Sequence, residues 1–124
     1  MNMRSKMVAV LVLALVLAQA ARSEPPPEVQ QQVNFLLRYV EGSRCEFYRN
    51  GSWYDSAAAQ AHLRDKYDYL ASRNAINTAE DFIARAASVS SFSGQPYQVR
   101  CGDRATVSSS QWLGEELARL RTTQ

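Results

Sequence analysis

His62 is the only histidine in the chain, and an imidazole is the side chain best placed for general acid–base work near neutral pH. Ser56 and Asp65 lie near it in sequence. A Ser–His–Asp arrangement is made by geometry in space, and the chain has no G-x-S-x-G turn to project a nucleophilic serine. His62 is thus a candidate base for a small hydrolase with no catalytic nucleophile assigned. The acid pairs Glu115–Glu116 and Asp65 with Asp68 read as solvated helix faces rather than a glycosidase dyad.

A second candidate is the serine-rich stretch SVSSFSG at residues 88–94. Hydroxyls and backbone N–H groups of an irregular loop can cradle an anion, with Ser90 and Ser91 as ligands and Arg85 and Arg100 assisting. The same serines can instead satisfy the loop's own backbone. A third candidate is aromatic: Trp53, Tyr54, Tyr67, Tyr69 and Tyr97 gather around one hairpin and one helix. Aromatics with polar handles serve interfaces as well as small cores. Trp53, beside a turn, is expected to be partly exposed. The candidate binding set is therefore Trp53, Tyr54, His62, Arg85, Ser90, Ser91 and Tyr97.

Cys45 and Cys101 are the only cysteines. They are too far apart in sequence for a C-x-x-C redox site, and with one histidine they are too few for a metal site. No metal and no cofactor is expected. A structural disulfide is the natural use of the pair in an oxidising compartment.

The N-terminus argues for that compartment. Arg4 and Lys6 precede the unbroken apolar run MVAVLVLALVLA at residues 7–18, and Ala18-Gln19-Ala20 supplies a small-x-small cleavage pattern. Residues 1–20 read as an export signal cut near Ala20, although Ala21-Arg22-Ser23 also fits. The run is shorter than the roughly 20 residues a helix needs to cross a bilayer. No transmembrane helix is expected in the mature chain. Lys and Arg number 14 against 12 Asp and Glu, and loss of Arg4 and Lys6 would bring them level. No basic face emerges, so nucleic acid is not an expected partner. Arginine is strongly favoured over lysine, which reads as the codon bias of a GC-rich genome as easily as a functional choice.

The elements that must position these residues follow from local pattern. Residues 21–27 form a proline-rich leader. Val29, Val33, Leu36, Leu37 and Val40 predict a helix over 28–41, stopped by Gly42. Asn50-Gly51 predicts a tight hairpin over 45–54, with Cys45 and Phe47 on one face and Glu46 and Tyr48 on the other. Asp55 or Ser56 caps a helix over 57–72, with Ala59, Leu63, Tyr67 and Leu70 buried and His62, Lys66 and Tyr69 at the edge of that stripe. Thr78 caps a third helix ending near Val89. Tyr97, Val99 and Cys101 alternate with Gln98 and Arg100 in a third strand. Ser108 caps a last helix running to about Arg121.

The fold class expected is α+β: a small antiparallel sheet, a hairpin plus one strand, packed against about four helices with one disulfide. Residues 28–122 make a single domain.

Four blocks resemble a known family: NGSWYDSAAAQAHLRDKYDYL at 50–70, TAEDFIARAAS at 78–88, SGQPYQVRCGD at 93–103 and QWLGEELARLR at 111–121. In order and content they are similar to the YfeK-like family of small exported proteobacterial proteins, a domain of unknown function. The resemblance implies a bacterial periplasmic protein with a paired cysteine, and it carries over no activity and no catalytic residue. The reading that follows is a periplasmic, monomeric, non-enzymatic module that binds an envelope protein or envelope component through the hairpin and the serine loop. A hydrolase using His62 and a binder of a small anion at the serine loop are the alternatives.

Overall fold

The computed structural model describes residues 24–124. The expected export signal at 1–20 lies outside the described residues. Helix α1 spans Pro27–Gly42, strand β1 Glu46–Arg49, strand β2 Ser52–Tyr54 and helix α2 Ser56–Ser72. Helix α3 spans Ala79–Ala86, strand β3 Gln98–Arg100, strand β4 Val107–Ser108 and helix α4 Ser109–Thr122.

The helices and the β1–β2 hairpin begin where the sequence supplies a cap or a turn. Pro27 opens α1 at a position where no N–H is needed, and the Gln30 side chain donates to the Pro25 carbonyl at 2.7 Å. Asn50 and Gly51 take φ values of 50° and 86°, the left-handed pair that a primed two-residue turn requires. Asp55, Thr78 and Ser108 accept from the backbone N–H three residues on, at 2.8, 3.0 and 3.2 Å. In the third helix the acid reaches back one residue further than a standard box: Asp81 accepts from Asn77 N–H at 2.9 Å.

The sheet is antiparallel in the order β2-β1-β3-β4. It has one more strand than the pattern predicted. β4 is only two residues long and pairs Val107 with Val99, too short to show a period. α2 packs against β1 and α4 against β3 and β4, and Phe47 and Val99 of the sheet are buried in the same core as the helices. Glu46, Tyr48, Trp53, Gln98 and Arg100 form the outer face, as their cross-strand pairings require.

α1 is the centre of the molecule, packing against α2, α3 and α4, with Val33, Leu36 and Leu37 fully covered. Phe82, Ile76 and Leu113 complete the core beside it. Cys45 and Cys101 are joined in a disulfide, with Cα atoms 4.4 Å apart, at the end of the sheet beyond Glu46 and Arg100. No helix among the described residues is long and apolar enough to cross a membrane.

The third helix ends at Ala86, short of Val89. The Ser88 hydroxyl donates to the Ile83 carbonyl at 2.6 Å, and Val89 leaves the helix to bridge Pro96. The serine stretch is thereby closed into a compact loop, with Ser90 N–H on Gln95 O and Gly94 N–H on Ser90 O, each at 2.9 Å.

Candidate functional site

The corner where the hairpin, α2 and the serine loop meet carries the most chemistry. Arg49 is the last residue of β1 and shares the parity of Phe47, so its side chain reaches the helix side of the sheet. His62 and Lys66 are four apart on α2 and share one helix face. Tyr97 enters from the loop before β3 and is buried.

These four side chains form one chain of contacts. Arg49 Nη1 donates to His62 Nδ1 at 3.0 Å. A cationic donor at Nδ1 makes that nitrogen the acceptor, so the proton of the neutral ring sits on Nε2. His62 Nε2–H then donates to the Tyr97 phenol oxygen at 3.1 Å. Lys66 Nζ donates to the same oxygen at 3.2 Å and to the Val89 carbonyl at 3.1 Å. The Arg49 guanidinium also lies over the Tyr54 ring, 4.7 Å from its centre.

The electrostatics follow from this crowding of cations. Burial, then Arg49 and Lys66, lower the His62 pKa from its ordinary value, against a small opposing pull from Asp65. Burial, then Arg49, lower the Lys66 pKa. Burial raises the Tyr97 pKa, opposed by Arg49. Among the described residues the ion pairs are made by Arg100, Arg119 and Arg121, and none includes Arg49, Lys66 or Arg85.

Two depressions share His62 as a common wall. The inner one is lined by Phe47, Arg49, Tyr54, His62, Leu63 and Tyr97, and at about 30 Å³ it has room for one water. The outer one is an open groove of about 250 Å³ lined by His62, Asp65, Lys66, Tyr69, Arg85 and Ser91. It lies just below the roughly 300–1,000 Å³ typical of pockets that enclose a whole small molecule, so it has room for a small polar group and part of the skeleton that carries it.

The structure thus places His62, Arg85 and Ser91 on one groove, and His62, Tyr54 and Tyr97 on the adjoining cavity. Ser90 is buried and its hydroxyl accepts from the N–H groups of Phe92 and Ser93, both at 3.2 Å. That is the local loop-satisfying geometry. Trp53 and Arg100 stand on the other face of the sheet. Arg100 lies 3.9 Å from the centre of the Trp53 ring and pairs with Glu46 at 3.1 Å. Arg100 therefore does not assist the serine loop, because strand alternation turns it away. Trp53 is half-buried, with the Tyr48 ring edge-on at 5.4 Å.

Among the described residues no serine hydroxyl and no carboxylate hydrogen-bonds His62; its two ring nitrogens face Arg49 and Tyr97. Glu115 and Glu116 are engaged by Gln111 and Arg119 on α4. Arg49 and Lys66 are the site residues that sequence reasoning did not single out. The i, i+4 spacing of His62 and Lys66 and the strand parity of Arg49 with Phe47 were the signals available.

The low pKa of His62 makes a test of the cluster. As pH falls, the unfolded chain takes up the histidine proton first, near pH 6.5, and the folded chain only at lower pH. The stabilisation from a neutral His62 is complete above that value and is lost as pH falls from it toward the folded pKa. Urea midpoints measured from about pH 7.5 to 5.5 should fall with pH in this protein. The fall should shrink in His62→Gln. An equal slope in both would show that His62 is not held neutral.

The comparisons with known proteins give a family and no chemistry. The uncharacterized protein YfeK of Salmonella typhimurium is 34% identical over 93 residues, which cover 74% of this chain and 76% of that protein. No solved structure matches the chain. The model of the family of unknown function DUF5329 matches residues 27–121, and the chain belongs to that family.

Proposed function

We propose that this protein is an exported, non-enzymatic interaction module of the bacterial envelope, and that its contact surface is the corner formed by the hairpin, α2 and the serine loop. One observation carries the reading. The large hydrophobic side chains that are exposed among the described residues, Tyr69 at 57%, Val89 at 40% and Phe92 at 94%, belong to α2 and to the serine stretch, the elements that form this corner. Tyr69 lines the groove, Val89 holds the Lys66 ammonium through its carbonyl, and Phe92 follows Ser91 on the loop. Exposed apolar residues scattered singly need no explanation, whereas a cluster rimmed by charge marks an interaction surface.

The hydrogen bonding of His62 supports the non-enzymatic part. A general base needs its acceptor nitrogen open to a substrate or nucleophile, and here Nδ1 already accepts from a guanidinium. The disulfide and the apolar stretch at 7–18 support export. The test is a photo-crosslinking amino acid placed at Tyr69 in the full chain expressed in cells, with a control at Glu41. An adduct of defined mass from Tyr69, absent from Glu41 and lost when Phe92→Ser is added, is expected. Equal adducts at both positions, or none at Tyr69, would sink the reading. Intact mass of the exported form should correspond to a chain starting near Ala21.

A further inference from the structure

Resting on the interaction reading above, we infer that the groove between Lys66 and Arg85 is a receptor for one carboxylate, borne on an apolar group of the protein partner. Two features lead there. Lys66 spends two N–H bonds on Val89 O and Tyr97 O, and an ammonium has three. The Arg85 guanidinium is exposed on the last turn of α3, lines the same groove, and is in no ion pair among the described residues. Both can therefore turn donors to an oxyanion without breaking anything that holds the fold.

The charge of the groove selects among oxyanions. Lys66 and Arg85 face it together with the single acid Asp65. Arg49 lies behind His62 and faces the inner cavity. The balance suits a singly charged group over a doubly charged phosphate. The groove, at about 250 Å³, has room for such a group together with part of the carbon skeleton that carries it. Its rim is apolar and aromatic through Tyr69 and Leu70, with Phe92 on the adjoining loop, so the carbon skeleton carrying the carboxylate gains by being apolar. A chain end with a hydrophobic last residue, or an acidic side chain next to one, has this chemistry. Lys66 holds its charge in a half-buried site beside Arg49, at an electrostatic cost that no described carboxylate offsets. An incoming carboxylate offsets it.

The experiment titrates the oxidised full-length mature protein with N-acetyl-phenylalanine, its amide and inorganic phosphate, following backbone amide resonances. The carboxylate should shift Lys66, Arg85 and Ser91 and saturate, while the amide should leave them in place. Lys66→Met and Arg85→Gln should each weaken binding at least tenfold, and Asp65→Asn should tighten it. Arg85 is exposed, so its variant keeps the fold even if the Lys66 variant alters the cluster. Equal shifts from the amide, stronger binding of phosphate, or no saturable binding would overturn the inference. Those outcomes are separable from failure of the interaction reading, because the crosslink from Tyr69 depends on Phe92 and not on an added carboxylate.

Discussion

Replacing both Cys45 and Cys101 with serine is expected to lower the unfolding free energy by about 4 kcal/mol, the chain-entropy value for a closed loop of this length. The bridge joins residues separated by 56 positions. In the unfolded chain that closure removes many conformations; in the folded chain the two residues are already held at the ends of paired strands. A domain of this size is stable by only about 5–15 kcal/mol, so the loss is a large share of the total. Urea unfolding of the oxidised protein against the double serine variant measures it directly. A difference below about 1 kcal/mol would show that the bridge adds nothing beyond the sheet it borders.

Phe82→Ala is expected to cost about 3–5 kcal/mol, the range for emptying an aromatic site in a packed core. Phe82 is fully buried and meets the Tyr67 ring edge-on, with centroids 5.8 Å apart. Its helix, α3, is only eight residues long and holds its place through this one inward face. Arg85 and the serine loop follow directly from it. The gentler Phe82→Leu should therefore speed hydrogen exchange at Ser90 and Gly94 before the rest of the domain loosens. Phe92→Ala is the control: at 94% exposed it should change stability by no more than about 0.5 kcal/mol. Similar losses at both positions would mean that α3 is not anchored as described.

What could be read in the sequence was whatever is decided locally. Asn50-Gly51, Asp55, Thr78 and Ser108 act through their own backbone and immediate neighbours, and each performs the expected turn or cap. The disulfide followed from parity and compartment, with no need of geometry. What was illegible depends on contacts between distant segments. β4 exists because Val107 meets Val99, and two residues carry no period. The end of α3 is set by Ser88 turning back on Ile83 and by Val89 meeting Pro96, which apolar spacing cannot report. Arg85 and Arg100 looked equivalent beside the serine loop. Strand alternation sends Arg100 to the outer face, and helix register leaves Arg85 on the groove. The His62 environment was the least legible, since its partners Arg49 and Tyr97 come from two other elements.

The covalent bond between Cys45 and Cys101 also makes a macrocycle, and Arg49, Tyr54, His62, Lys66, Arg85, Phe92 and Tyr97 all fall within it. A protease that nicks the exposed Ser91-Phe92 tip would produce two polypeptides that still migrate as one under oxidising conditions. The clipped molecule would keep both halves of the corner tethered at the far end of the sheet, and would come apart only on exposure to a thiol.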